Sequence, residues 1–149
     1  MPAVRFYALA EESVTPAGQK SVPAVCAKAC ELTAELYSQK KKSVVLCADQ
    51  AQAEAVDQLL WQLPTGRFVP HNLAGEGPNG GAPVEIVWQL QSLPRKQCLI
   101  NLSGQMVNNF NQFQHIIDFV PVEESAKQQA RQRYKQFQQA GCQMQFLPA

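Results

Sequence analysis

Short runs of consecutive apolar residues alternate along this chain with segments whose apolar residues recur at helical spacing. That alternation restricts the fold to an α/β class with a mostly parallel sheet and helices on both faces. Val4 to Ala10 reads as the first strand. Ser21 to Ser38 reads as a helix, with Val25, Ala29, Leu32 and Leu36 on one face and Pro23 in the first turn, where a missing amide costs nothing. Lys40 to Lys42 then gives a basic end that suits the helix dipole. Ser43 to Ala48 is a short buried strand, and Asp49 is placed to cap a helix running through Trp61. Phe68 to Leu73, Val84 to Trp88, Gln97 to Ser103 and Ile116 to Val120 read as extended, with a short helical piece over Met106 to Phe113. The last helix opens at Glu123-Glu124-Ser125 and runs to Ala140. Gly141 supplies the left-handed residue beyond it, and Cys142 to Leu147 forms a closing strand.

The chain of 149 residues is the size of one domain, and neither a repeat nor a linker divides it. Hydrophobic content of 46% against 17% charge supports a packed core. No apolar run approaches the length needed to cross a bilayer, and the start lacks the pattern of a secretion signal, so a cytoplasmic protein is expected. A net charge of +1 is small for a protein that lives on phosphate contacts. The five cysteines suggest no disulfide framework. Cys26 and Cys30 stand four apart on a helix, but a closed zinc site needs two further ligands, and His71 and His115 lie far off in the sequence. No metal or other cofactor is expected.

Between Gly75 and Pro83 the chain places four glycines and two prolines, and Gly75 to Gly80 formally matches G-x-G-x-x-G. In a dinucleotide site those glycines join the first strand to a helix whose free amides hold the pyrophosphate. Here the match sits mid-chain, Pro78 removes an amide, and a strand follows instead of a helix. A P-loop is absent as well, since no Gly-Lys-Ser/Thr follows. The alternative of a small Rossmann-like nucleotide-binding enzyme using the Gly75–Gly81 loop therefore fails its context test, and no nucleophile elbow or HExxH pair offers other chemistry. His71 reads as a loop residue with satisfied hydrogen bonds, and Asp118 as a carboxylate that caps or pairs locally.

Two surface patterns point to partners. On the last helix Lys127, Arg131, Tyr134, Lys135 and Gln138 share a face, beside a packing stripe of Ala126, Ala130, Phe137 and Ala140 that Arg133 interrupts. A tyrosine among three cations suits a peptide carrying carboxylates and an apolar side chain, with arginine able to grip a carboxylate through two parallel hydrogen bonds. Weak contact with single-stranded nucleic acid through the same helix has only one ring to stack on. The second pattern gathers Trp61, Leu63, Phe68, Val69 and Pro70 around one connection, a composition typical of interface anchors.

The segments Phe68-Val-Pro-His-Asn-Leu-Ala-Gly-Glu-Gly-Pro78 and Gly80-Gly-Ala-Pro-Val-Glu-Ile86 resemble the signature loop of the chi subunit of bacterial DNA polymerase III. The resemblance extends to Phe6-Tyr7, Asp118-Phe-Val-Pro121, Ala130-Arg-Gln-Arg-Tyr-Lys135 and Ala140-Gly141, and so spans nearly the whole chain. It implies a Rossmann-like domain without a catalytic site of its own, working inside a DNA-directed DNA polymerase complex. It further implies pairing with the psi subunit, through it membership of the clamp-loader complex, and capture of the acidic C-terminal tail of single-stranded-DNA-binding protein. Contact with nucleic acid is then mainly indirect. By position the tail site uses Val120, Lys127, Arg131, Tyr134 and Lys135, and the psi contact uses Trp61 and Phe68. Gln138 stands where some relatives carry a basic residue, which leaves the tail site with less positive charge.

Overall fold

The computed structural model describes residues 1–16, 20–76 and 82–149. Their strands are β1 (Ala3–Ala8), β2 (Ser13–Val14), β3 (Val22–Pro23), β4 (Ser43–Leu46), β5 (His71–Leu73), β6 (Val84–Val87), β7 (Cys98–Asn101), β8 (His115–Val120) and β9 (Gln143–Pro148). The helices are α1 (Ala24–Ser38), α2 (Gln50–Gln62) and α3 (Glu124–Gln139). Seven strands form one sheet in the order β5-β6-β4-β7-β8-β1-β9, and each of its ladders is parallel.

A parallel sheet must be covered on both faces, and the side-chain alternation of the strands shows how. Val45, Ile86, Ile100, Ile117 and Phe119 pack with Ala29, Leu32, Ala53 and Val56, so α1 and α2 cover one face. Val44, Leu46, Leu99, Ile116 and Val120 pack with Ala130 and Phe137, so α3 covers the other. Rossmann-like doubly covered architecture is what the alternation predicts, and it is what forms.

Local chemistry sets the helix ends. Asp49 accepts a hydrogen bond from the Gln52 amide at 2.8 Å, and the Gln52 side chain accepts one from the Ala48 amide at 2.7 Å, a reciprocal cap. Glu123 accepts from the Ala126 amide at 2.6 Å and brings an anion to the positive end of α3. Beyond α3, Cys142 and Gly141 donate to the carbonyls of Phe137 and Gln138, with Gly141 at φ 93°, a Schellman ending.

Beyond α1 the same ending is built on a lysine. Lys41 and Lys40 donate to the carbonyls of Leu36 and Tyr37, and Lys40 has φ 63°. The three lysines thus lie past the helix end, and none occupies its last turn. A side chain in this conformation is strained in a way glycine is not. Lys40→Gly is therefore expected to raise stability by about 0.5–1 kcal/mol, the strain relief less the added freedom of the unfolded chain. A urea midpoint that fails to rise would contradict this.

Two sequence expectations need correction. Pro23 does not enter the helix: it is the residue before α1, with ψ at 133°, and β3 pairs antiparallel with β2, a ladder too short to leave a periodic signal. Met106 to Phe113 is not an α-helix, since only Phe110–Gln112 makes a 3-10 turn. Asn108, Asn109 and Asn111 there have side chains that compete with helical backbone bonds, while Val107 and Phe113 are buried under the α3 face.

Candidate functional site

Helix α3 is fixed on the sheet by a buried ion pair. Arg133 is only 6% exposed. Its Nε and Nη2 donate to the two Asp118 carboxylate oxygens at 2.8 and 3.0 Å, and its Nη1 donates to the Gly104 carbonyl at 2.8 Å. The Phe119 amide and the Asn101 side chain also donate to Asp118. Burial pushes the Asp118 carboxyl above its ordinary value, and the Arg133 fork and the other donors pull it back. Asp118 stands on β8 between Ile116 and Val120 on the face that α3 covers. The residue that reads as an interruption of the packing stripe is thus the clasp that holds the stripe down. Asp118 does accept a local hydrogen bond, from the Phe119 amide, but its ion-pair partner lies fifteen residues along the chain.

The clasp sets the outer side of α3 over the end of β8 and the edge strand β9. Val120, Ala130, Tyr134 and Phe146 line a groove of about 500 Å³ there, with Arg131 and Lys135 on its helical side. Gln128, Gln132 and Gln138 complete the lining, which contains no carboxylate. Among the described residues neither Arg131 nor Lys135 has an ion-pair partner. The groove therefore combines an apolar floor with two available cations, the chemistry of a receptor for an acidic chain bearing an apolar group.

Of the residues expected in this site, the structure brings Val120, Arg131, Tyr134 and Lys135 together. Lys127 sits one turn earlier on α3, half-buried and outside the groove lining. Phe146 joins the site without any mark in the local pattern. It lies opposite Phe6 in the β1–β9 ladder, a pairing that periodicity within the closing strand does not reveal.

The aromatic patch lies by the opposite edge of the sheet. Trp61 at the end of α2 is 57% exposed and Phe68 65%, with ring centroids 5.8 Å apart. Leu63 and Val69 are buried beneath, so the run divides into anchors outside and packing inside. The His71 ring supports Trp61 from below at 4.7 Å. Its Nδ1 lies 2.7 Å from the Val69 carbonyl oxygen, and its Nε2 lies 3.1 Å from the Asp57 carbonyl oxygen and 3.2 Å from the Asp57 carboxylate. Both nitrogens are engaged, as expected, although His71 belongs to β5 and not to a loop. Two large adjacent rings left in water are characteristic of an interaction surface.

Elsewhere the candidate chemistry recedes. Cys26 and Cys30 are buried on α1; burial raises both thiols, that of Cys30 to about 12, far from the reactive range. Among the described residues no three of His, Cys, Asp and Glu are placed to hold a metal ion. The glycine match falls largely on Gly77–Gly81, outside the described residues. Among the described residues the next element is the strand β6 and not a helix. No helix among the described residues is long and apolar enough to cross a membrane.

The family model described as DNA polymerase III chi subunit, HolC, matches residues 1–145. The chain belongs to the chi-subunit family. Chi-family membership makes it a subunit of DNA polymerase III, a complex of DNA replication. The chain is 48% identical to the DNA polymerase III subunit chi of Escherichia coli strain K12 over 113 residues, covering 75% of this chain and 77% of that one. It is 42% identical to the chi subunit of Haemophilus influenzae over 76% of this chain and 79% of that one. Against the chi subunit of Pseudomonas aeruginosa identity is 28%, over 97% of this chain and 95% of that one. Among solved structures, T4 UvsW superposes with a TM-score of 0.62 at 8% identity, over 99% of this chain and 41% of that one. That likeness concerns the fold alone.

Proposed function

We propose that this chi-family chain is a non-catalytic bridge within the polymerase III holoenzyme, working as one domain in the cytoplasm. In this reading the α3–β9 groove receives the acidic C-terminal tail of single-stranded-DNA-binding protein. The Trp61–Phe68 patch docks the psi subunit, and through it the clamp loader. The observation that carries the reading is the groove: two cations above an apolar floor, with no carboxylate in the lining. That combination accepts a peptide that ends in negative charge and an apolar residue. Nucleic acid is engaged through the partners and not by the groove.

The tail contact is tested by titrating an acidic peptide ending in Pro-Phe into the protein by calorimetry at two salt concentrations. Binding that weakens with salt supports it, because ions screen exposed charge contacts. Absent or salt-insensitive binding contradicts it. The psi contact is tested with Trp61→Ala. An anchor residue of this kind is worth at least about 2 kcal/mol, so co-purification with psi should fall sharply while tail binding stays unchanged. Loss of both partners together would mean that the two surfaces are not separate.

A further inference from the structure

We infer that the amino-terminal end of the parallel sheet binds the phosphate backbone of nucleic acid through Arg5, Lys40, Lys41, Lys42 and Arg95, a direct contact additional to the one made through partners. The net charge of +1 conceals a strong segregation of sign. All strands of the main sheet run the same way, so their amino ends share one side. Lys40 to Lys42 lead into β4, Arg95 and Lys96 lead into β7, and His115 opens β8. At the carboxyl ends the sign reverses, with Glu11 and Glu12 after β1, Asp49 after β4, and Glu123 and Glu124 after β8. Such a separation gives each end a field that the net charge does not reveal.

Arg5, Lys41 and His115 converge on a cleft of about 30 Å³ under the end of α1, room for little more than one phosphate oxygen. Glu35 is the one carboxylate in its lining, and it is exposed on α1. Burial, then the charges of Lys41 and Arg5, push His115 below its ordinary value, so the local field is positive despite Glu35. Lys96 is paired with Glu85 at 3.1 Å. Among the described residues Arg5, Lys40, Lys41, Lys42 and Arg95 have no ion-pair partner. Nor do the lysines cap α1 with their side chains, since the backbone amides of Lys40 and Lys41 already serve its last carbonyls. Lys40 holds a cation at a φ of 63°, where glycine would be unstrained, and strain of this kind marks functional positions. Three inter-strand gaps separate β4 from β1, so the cations form a row roughly 14 Å long, which suits a chain laid across it. A protein partner would look for apolar anchors, but the exposed rings of Trp61, Phe68 and Phe146 belong to the surfaces already described. Cations without rings hold phosphates and leave bases unread.

The test is fluorescence anisotropy of a labelled oligothymidylate over a salt series, with the unaltered protein, Arg5→Gln, Lys41→Gln, Lys40→Gly and Arg131→Ala. For single strands log K falls with log salt by roughly 0.7 per phosphate contact. Each of the first three variants loses one contact, so its slope should become shallower by roughly 0.7 and its affinity at about 0.1 M salt should fall roughly fivefold. Lys40→Gly is the sharpest arm, because it should bind the oligomer more weakly while its urea midpoint rises, a combination that damage to the fold does not produce. Arg131→Ala changes the groove and not this end, so oligomer binding should stay as it was. A mixed-sequence oligomer of the same length should bind equally well. Absent binding at low salt, or unchanged slopes in the three variants, would overturn the inference. So would an equal loss with Arg131→Ala, which would move the contact to α3. A polyglutamate of equal charge that binds as tightly as the oligomer would also overturn it, since the end would then be a receptor for acidic protein.

Discussion

Replacing Arg133 with methionine is expected to cost about 3–5 kcal/mol of folding stability, the largest effect of any single change outside the apolar core. The methionine keeps much of the volume but leaves the Asp118 carboxylate buried without its cation. The Gly104 carbonyl loses its donor at the same time, but Gly104 is exposed and water can take the donor's place, so the stranded carboxylate dominates the loss. Asp118→Leu made together with Arg133→Met should cost far less than the sum of the single changes, since it removes the stranded charge as well as its partner. Urea unfolding of the two single variants and the double variant measures this directly. Additive losses would show that the pair is not the unit that holds α3.

Replacing Arg131 with alanine should do the opposite: stability holds and binding fails. Arg131 is exposed and makes no ion pair among the described residues, so its removal strands nothing in the core. A hydrogen bond to a charged partner contributes about 1.5–3 kcal/mol, which is roughly ten- to a hundredfold in the Kd of an acidic peptide. The salt dependence of binding should also become shallower, because one charge contact fewer is there to be screened. Calorimetry over a salt series, with a urea midpoint as the control, reads both expectations. An unchanged Kd would remove Arg131 from the site. The two arginines stand two residues apart on one helix, so their contrasting behaviour separates the helix as a clasp from the helix as a receptor.

The sequence was legible wherever a local signal has a local cause. Asp49 reads as a cap and is one, the apolar run at Ser43 reads as a buried strand and is one, and Gly141 ends α3 with the expected positive φ. The exposed faces were also readable, since Arg131, Tyr134 and Lys135 share a helix side by spacing alone. What escaped depends on contacts distant along the chain. Arg133 looks like a flaw in a packing stripe until β8 brings Asp118 beneath it. Phe146 looks like an ordinary strand residue until the crossover from β8 through α3 lays β9 beside β1. The β2–β3 ladder escaped for a different reason, as two paired residues carry no period.

The placement of the two surfaces by opposite edges of the sheet has a mechanical consequence. With seven strands in the order described, six inter-strand gaps set β5 and β9 roughly 29 Å apart. Tension between the two edges, whatever applies it, runs across the ladders and not along the strands. Hydrogen bonds loaded in that direction open a few at a time, whereas strands pulled lengthwise must break a whole ladder together. The first ladder to give would be that of β5, three residues long and paired only with β6. A link built this way transmits position faithfully at rest and yields early under load, behaving as a fuse and not as a strut.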